Sequence, residues 1–255
     1  MLEIKGLNSG YGKLQVLFDL NIQVPNKGIT VVVGPNGAGK TTLLCSIMGI
    51  SDVFSGEVLF EGKPTKGLLT HILAQRGISY VPQMGNVFAD LTVRDNLMMA
   101  GYLLSKDEAK KKSIQMTGMF PILAKFIDRK AGTLSGGERR MLAIAMGLMK
   151  NPKLMLLDEL STDLAPIIAE RVITEVARLR DELGITILLV EQMAKRALEI
   201  GDTAYLLVSG GVKYDGKANE LLKNPELCSM YLGIKQAADG TVELSSELPT
   251  SEGSA

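Results

Sequence analysis

The stretch of sequence that decides the fold is GPNGAGKTT, which comprises Gly34, Pro35, Asn36, Gly37, Ala38, Gly39, Lys40, Thr41 and Thr42. It follows the apolar run ITVVV and precedes the helical run LLCSIMGI, so it matches G-x-x-x-x-G-K-[ST] in the context that this motif requires. Glycines let the backbone curl around phosphate oxygens, and the N–H groups that open the next helix attract an anion. We therefore expect Lys40 to reach the β- and γ-phosphates of a nucleotide and the Thr41 hydroxyl to ligate Mg²⁺. The alternative, a purely structural glycine turn, is disfavoured by the flanking strand and helix.

Two adjacent carboxylates, Asp158 and Glu159, end a second apolar run, LMLL. The carboxyl ends of strands are where α/β sheets place their ligands. We expect Asp158 to hold Mg²⁺ through its water shell and Glu159 to polarise a water for attack on the γ-phosphate. An apolar-Asp-Glu run is weak evidence alone, but it gains weight because it follows a phosphate loop.

A third motif, LSGGE, opens the helical run RRMLAIAMGLM and contains Ser135, Gly136, Gly137 and Glu138. By itself it is an ordinary helix start, in which Ser135 caps the helix and Glu138 completes a capping box. Helix N-termini also bind phosphate. The two interpretations are compatible, because one terminus could cap its own helix and present spare N–H groups to a nucleotide.

The rest of the chain alternates β-type runs with helical patterns, which is the rhythm of an α/β fold. Strands are predicted at residues 16–24, 29–33, 56–60, 78–81, 154–157 and 185–190. Several are continuously apolar, as expected of parallel strands that are buried on both faces. The N-terminal MLEIKGLNSGYG also has the pattern of a strand running into a turn, and it lacks the features of a secretory signal.

Helical periodicity replaces the strand pattern at residues 84–134, which we interpret as an inserted helical lobe. Eight of the thirteen methionines fall between Met84 and Met149. They could fill irregular helix packing, or they could form an adaptable docking surface for a partner helix. Residues 236–255 are polar, small and acidic, so a disordered tail is predicted there.

Composition excludes several classes of function. The 28 basic and 28 acidic residues cancel, so no summed field favours nucleic acid or anionic lipid. Cys45 and Cys228 are far apart and show no zinc spacing, which fits a reducing compartment. The longest apolar stretch, Met141 to Met149, has nine residues. Such a stretch is about half of what crosses a bilayer core of roughly 30 Å, so a cytosolic location is expected.

In this order and spacing, the phosphate loop, LSGGE and LMLLDE resemble the ATP-binding subunit of ABC transporters. The resemblance implies an α/β fold with a P-loop NTPase core of ABC type, an N-terminal β subdomain and the inserted helical lobe, within a domain of residues 1–235. It also implies hydrolysis of ATP with Mg²⁺. The LSGGE of one protomer would close over ATP held by the phosphate loop of the other, in a head-to-tail dimer.

Three further residues occupy positions that have known roles in the family. Tyr11, in the turn before the second strand, matches the aromatic that stacks on adenine, although it could be an ordinary turn tyrosine. Gln83, in YVPQ, matches the glutamine that contacts Mg²⁺ and the attacking water, and otherwise it is a loop residue. Gln192 stands where most of the family has a histidine that contacts the γ-phosphate, and it cannot titrate near neutral pH. The single histidine, His71, lies outside every matched motif and is interpreted as a surface or packing residue.

Two departures follow the catalytic carboxylate. The family usually has D-E-P and then S-x-G-L, whereas this chain has Leu160 in place of the proline and Asp163 in place of the glycine. Both changes alter the accessible backbone conformations, although aspartate tolerates a left-handed conformation better than most residues. Slower hydrolysis or an altered dimer contact are the expected costs. We still predict activity, because the other motif residues are present.

The VEQ that contains Gln192, the LAP that begins at Leu164 and the YLG that begins at Tyr231 resemble one branch of the family. That branch comprises the ATP-binding subunits of importers of branched-chain amino acids and related small amides. It implies permease subunits in the membrane, a peripheral location on its cytoplasmic face, and a second ATP-binding subunit that is either a copy or a paralogue.

Other functions fit the sequence less well. A soluble ABC-type ATPase that assembles a cytosolic complex, such as iron–sulfur cluster machinery, would lack the VEQ, LAP and YLG features. A chromosome-maintenance ATPase needs a long heptad-bearing insertion, and a translation-associated protein needs two cassettes. A non-hydrolysing regulator is suggested by Leu160, Asp163 and Gln192, and turnover that is abolished by Glu159→Gln would exclude it.

Overall fold

Two main β-sheets with helices around them make up the fold, which a computed structural model describes for residues 1–232, 234–236 and 242–244. The strands are β1 Leu2–Tyr11, β2 Leu14–Val24, β3 Ile29–Val33, β4 Asp52–Phe60, β5 Lys63–Pro64, β6 Ile78–Val81, β7 Leu154–Asp158, β8 Thr186–Glu191, β9 Thr203–Val208, β10 Gly211–Lys217, β11 Ile234–Gln236 and β12 Val242–Leu244. The helices are α1 Lys40–Ile47, α2 Thr70–Gln75, α3 Val93–Ala100, α4 Lys106–Met119, α5 Pro121–Lys125, α6 Gly136–Leu148, α7 Pro166–Leu183, α8 Ala194–Ile200, α9 Ala218–Leu222 and α10 Pro225–Tyr231.

The larger sheet has six strands in the order β10-β9-β3-β8-β7-β6, of which all but the edge strand β10 run parallel. The smaller sheet is antiparallel, in the order β2-β1-β4-β5. The predicted strands are all present, and β4 begins earlier than expected, at Asp52. Strands β5, β9, β10, β11 and β12 were not predicted from the sequence.

Alternate side chains of the central strands enter two different cores. In β8, Ile187 and Leu189 pack on the helical side, whereas Leu188 and Val190 pack toward the small sheet. All of these side chains are buried. The continuously apolar runs therefore correspond to parallel strands that are buried on both faces, which confirms that prediction.

The register of the parallel strands brings their carboxyl ends to one edge. Val190 lies beside Asp158 of β7, and Glu191 lies beside Val33 of β3. The loop that starts at Gly34, the Asp158–Glu159 pair and Gln192 therefore follow three adjacent strands at the same edge. This is the edge at which α/β sheets bind ligands.

Residues 84–134, the region interpreted as an inserted helical lobe, contain α3, α4, α5 and a short 3₁₀ turn at Ala131–Thr133. Thr92 and Ser105 start α3 and α4 with capping boxes. The buried Asn96 closes the loop before α3, because its side chain accepts from the Phe88 N–H at 2.8 Å and donates to the Thr92 carbonyl at 2.9 Å.

The methionines between Met84 and Met149 include both buried and exposed side chains. Met116 and Met149 are buried in the helical-side core. Met84 and Met99 are exposed, at 77% and 49%. His71 is exposed on α2, as expected of a surface residue.

Within the tail that was predicted to be disordered, the structure describes Gln236 and Val242–Leu244, which pair as part of the short antiparallel hairpin β11-β12. The remainder of that tail lies outside the described residues. Among the described residues, every helix is too short or too polar to cross a membrane.

The core between the two sheets should be the most sensitive to truncation. Leu156 is fully buried there, so Leu156→Ala is expected to lower the free energy of unfolding by about 2–5 kcal/mol in urea denaturation. Leu14→Ala, on a side chain that is 68% exposed, is the control and should change it by less than about 0.5 kcal/mol. Equal effects of the two substitutions would contradict this assignment of the core.

Candidate active site

The loop between β3 and α1 has the backbone of an anion cradle. Gly37 and Gly39 have φ values of 77° and 98°, in the left-handed region that glycine enters without strain. A Cβ atom on Gly39 would lie 2.5 Å from the Cδ2 of Leu17, so a side chain does not fit there. Asn36 is exposed, whereas Ala38 and Thr42 are buried against the fold.

Lys40 folds back over this loop. Its ammonium group donates to the carbonyl oxygens of Gly34 and Pro35, at 3.0 and 3.2 Å. The residue is only 4% exposed, which places a cation close to the concave side of the loop. The loop thus combines backbone N–H groups at the start of α1 with one buried positive charge.

Asp158, at the end of β7, receives hydrogen bonds from two directions. Its Oδ1 accepts from the Thr41 hydroxyl and its Oδ2 from the Tyr80 hydroxyl, both at 3.2 Å. Burial raises the pKa of the Asp158 carboxyl, and the two hydrogen bonds act in the opposite direction. Burial also raises the pKa of Tyr80, so this hydroxyl keeps its proton. Asp158 and Thr41 therefore present two oxygen atoms to one point.

Glu159 is the centre of the cluster. Its Oε1 lies 3.2 Å from the Lys40 Nζ, and its Oε2 accepts from the Gln83 side-chain amide at 3.1 Å and from the Thr162 hydroxyl at 3.2 Å. The backbone of Glu159 has a φ of 43°, which is uncommon for a residue with a side chain. The structure thus brings together Lys40, Glu159 and Gln83, which are far apart in sequence.

The LSGGE segment caps its helix as predicted. Ser135 accepts from the Glu138 N–H at 3.4 Å, and the Glu138 carboxylate accepts from the Ser135 N–H at 2.8 Å, so the capping box is confirmed. Gly136 and Gly137 pack tightly against Leu164 and Ile168. Within the described part of the chain, this segment lies beside the start of α7 and outside the hydrogen-bonded cluster around Glu159.

Tyr11 and Gln192 lie at the border of the site. Tyr11 ends β1 with 46% of its surface exposed, and its hydroxyl faces Thr42 and Cys45 of α1. The turn after it is fixed by a hydrogen bond of 2.8 Å from the Gly12 N–H to the Asp52 carboxylate. Gln192 follows β8 directly and is partly buried.

Four residues of the site were missed by the sequence analysis, namely Tyr80, Thr162, Arg140 and Glu191. Arg140 of α6 donates to the Gln83 carbonyl, which ties the LSGGE helix to the cluster. The only sequence signal for Tyr80 was its place in the YVPQ segment, and its contact with Asp158 depends on the pairing of β6 with β7. Arg140 offered no such signal, because its contact depends on how α6 packs.

Glu191 is a fully buried carboxyl group at the end of β8. Its Oε1 accepts from the Ser161 N–H at 3.1 Å, and its Oε2 accepts from the Ser161 hydroxyl. Burial raises the pKa of Glu191 to about 7, the nearby Glu159 acts in the same direction, and the hydrogen bonds from Ser161 act against it. Arg140 is buried as well, and its guanidinium faces this carboxyl. Burial lowers the pKa of Arg140.

A phosphate loop between a parallel strand and a helix, with paired carboxylates at the end of a nearby strand, defines a P-loop nucleoside triphosphatase. The family model described as "ABC transporter" matches residues 17–162. The chain belongs to this family, and it is a nucleotide-binding, ATP-hydrolysing subunit.

Individual relatives agree with this assignment. The "Probable branched-chain amino acid transport ATP-binding protein LivF" of Archaeoglobus fulgidus is 48% identical over 92% of this chain and 99% of its own length. The "High-affinity branched-chain amino acid transport ATP-binding protein BraG" of Pseudomonas aeruginosa is 40% identical over 91% of this chain and 100% of its own.

Solved structures agree as well. The ADP conformation of MJ1267, an ATP-binding cassette of an ABC transporter, superposes with a TM-score of 0.81 at 26% identity, over 90% of this chain and 97% of that one. A dimeric post-hydrolysis state of the cassette MJ0796, bound to ADP and Pi, gives a TM-score of 0.75 at 25% identity. The match covers 86% of this chain and 99% of that one.

The buried Glu191 predicts a pH dependence of stability. Its pKa rises from 4.5 to about 7 on folding, so the stabilisation from its proton is full below about pH 4.5 and is lost as the pH rises through about 7. Relative to Glu191→Gln, the native protein should lose on the order of a few kcal/mol of unfolding free energy between about pH 5 and pH 8.

Urea denaturation at both pH values measures this difference. The control is Thr186→Val, which removes a buried hydroxyl from the other end of β8 without changing a titrating group. Its stability should follow that of the native protein in parallel. A Glu191→Gln profile that is also parallel to the native one would show that Glu191 does not take up a proton on folding.

Proposed function

We propose that this chain is the ATP-hydrolysing subunit of an importer of branched-chain amino acids or related small amides, and that it couples ATP hydrolysis to membrane permease subunits. The observation that carries the proposal is the position of Glu159. One of its oxygens contacts Lys40 of the phosphate loop, and the other contacts Gln83 at the entry to the helical lobe. The group that activates the attacking water would thus be joined directly to the segment that meets the permease.

The donor set around the phosphate loop fits Mg²⁺. This ion prefers oxygen ligands and is usually held by one or two protein groups together with phosphates and waters. The Thr41 hydroxyl and the Asp158 carboxylate supply two adjacent oxygens, and the Gln83 side-chain oxygen is the third candidate. When bound, the ion would neutralise charge that develops on the phosphates.

The other residues of the site have the following proposed roles. Glu159 accepts a proton from the attacking water, Lys40 stabilises the β- and γ-phosphates, and Gln192 donates a hydrogen bond to the γ-phosphate. Tyr11 stacks on the adenine base. Gly34 to Thr42 enclose the phosphates with backbone N–H groups.

A complete site requires two subunits. Gly136 and Gly137 pack against Leu164 and Ile168 beside α7, and Ser135 and Glu138 cap their own helix. In a head-to-tail dimer they would face the nucleotide of the partner. We propose that a paralogous ATP-binding subunit fills that place in the cell, and that the assembly lies on the cytoplasmic face of the membrane.

The permease would dock in a groove between the core and the helical lobe. This groove has a volume of about 540 Å³, and its lining includes Pro82 and Asn86, on either side of Gln83. Phe88, Met99 and Tyr102 line it, and they are 52%, 49% and 63% exposed. An apolar groove of this kind suits the side chains of a short helix from a membrane subunit.

Purified protein should hydrolyse ATP in the presence of Mg²⁺, at a rate that rises more steeply than linearly with protein concentration. Glu159→Gln should lower kcat by at least about 100-fold because it removes the base, while ATP still binds. Lys40→Ala should abolish binding. Glu182→Gln, on an exposed ion pair of α7 with Arg178, is the control and should leave turnover unchanged. Turnover that is linear in protein and insensitive to Glu159→Gln would refute the proposal.

Docking can be tested by placing a charge in the groove. Met99→Lys should lower co-purification of the permease subunits at least about 10-fold, because a desolvated ammonium opposes helix docking. ATP hydrolysis by the isolated subunit should stay within about twofold. The matched control is Met230→Lys, since Met230 is 53% exposed on α10, away from the groove. Equal loss for both variants, or capture of soluble subunits alone, would contradict the docking site.

A further inference from the structure

The last residue of β8 reaches across to the loop that follows β7. Glu191 is fully buried, and both of its carboxylate oxygens are used by Ser161, one by the backbone N–H at 3.1 Å and the other by the hydroxyl. The backbone N–H of Leu160 also faces this carboxylate. Immediately before these contacts, the N–H of Glu159 donates to the carbonyl of Val190 at 2.9 Å. The loop is thus fastened to the end of β8 at consecutive positions.

This loop needs to be held, because its backbone is not in a relaxed conformation. Glu159 and Asp163, at its two ends, have φ values of 43° and 63°. Residues with side chains keep such conformations only when the surroundings impose them. Of the three residues between them, Leu160 and Ser161 are buried, at 0% and 2% exposed, and Thr162 is partly buried. The hydrogen bonds to β8 join the loop to the sheet, and together with the buried Leu160 they constrain its conformation.

We infer that Glu191 is a positioning residue for ATP hydrolysis, which fixes the loop of residues 159–163 and thereby the direction of the Glu159 carboxylate. The inference rests on the proposed role of Glu159 as the base. Glu159 makes its contacts to Lys40 and Gln83 at 3.2 and 3.1 Å. A rotation of the loop would break both contacts, while it would leave the phosphate loop itself unchanged.

The chemistry of the residue supports a role beyond packing. A buried carboxylate costs free energy relative to an apolar side chain of similar size, so a core position that served stability alone would favour leucine or methionine. Glu191 instead offers two acceptor oxygens to neighbouring donors. The N–H of Leu160 contributes to this arrangement, and a proline at that position would have no N–H to offer.

The test compares Glu191→Leu, Glu191→Gln and Ser161→Ala in the full chain. Glu191→Leu should lower kcat by about 10- to 100-fold and change the KM for ATP by less than about threefold, because positioning acts on the transition state. Glu191→Gln should recover kcat to within about fivefold, since its amide oxygen accepts the Ser161 N–H and its NH₂ donates to the rotated hydroxyl. Ser161→Ala should lower kcat in the same direction, and adding Glu191→Leu to it should cause little further loss.

Thr186→Val is the matched control. Thr186 is a buried hydroxyl at the opposite end of the same strand, where it accepts from the Lys27 N–H at 2.9 Å. Its substitution should reduce stability and leave kcat within about twofold. If it lowers kcat as much as Glu191→Leu does, general destabilisation explains both and the inference is wrong. If Glu191→Leu does not fold, Ser161→Ala replaces it in the test, and its kcat should fall below that of Thr186→Val.

Amide hydrogen exchange provides a second readout that does not depend on activity. In Glu191→Leu, peptides that cover residues 159–163 should exchange at least about 10-fold faster than in Thr186→Val. Exchange that is equal in the two variants would overturn the inference even if kcat fell. In a preparation without ATP turnover the exchange comparison still decides whether Glu191 holds the loop, so a failure of the proposed function is distinguishable from a failure of this inference.

Discussion

The contact between Lys40 and Glu159 is the interaction around which the site is arranged. The two charges lie 3.2 Å apart, and their side chains are 4% and 11% exposed. A buried ion pair gains little net stability, because desolvation of both charges offsets their attraction. Its presence at this point therefore indicates a functional constraint. The carbonyls of Gly34 and Pro35 accept hydrogen bonds from the Lys40 ammonium group. The Gln83 amide and the Thr162 hydroxyl donate to the Glu159 carboxylate.

The parallel sheet makes that contact possible. Lys40 follows β3, Glu159 follows β7 and Gln83 follows β6, so three separate segments reach one edge because their strands run in the same direction. Arg140 then connects α6 to the same point through the Gln83 carbonyl. The LSGGE helix, the start of the helical lobe and the Glu159 carboxylate are thus joined by consecutive hydrogen bonds. A shift of any one of them would change the surroundings of Glu159.

The sequence predicted the parts of this arrangement that depend on local chemistry. The glycines of the phosphate loop, the strand before it and the capping box at Ser135 each follow from short-range rules, and the structure contains them. Strands β5, β9, β10, β11 and β12 were missed. The hydrogen bonds of Tyr80, Arg140 and Glu191 were missed because they join residues far apart in the chain, and they depend on the register of β6, β7 and β8 and on the packing of α6. No window of sequence contains that information.

The two unusual residues after Glu159 have a common physical explanation. The backbone at Asp163 has a φ of 63°, in the left-handed region that glycine adopts most readily. Aspartate is among the few other residues that adopt it, so the loop keeps the backbone conformation that a glycine would have. Leu160 buries its side chain fully in the helical-side core and turns its N–H toward Glu191. A proline would restrict the loop through its ring, whereas leucine allows it to be restrained by the core and by a hydrogen bond. The departures therefore replace one means of holding the loop with another, and they leave the cluster around Glu159 intact.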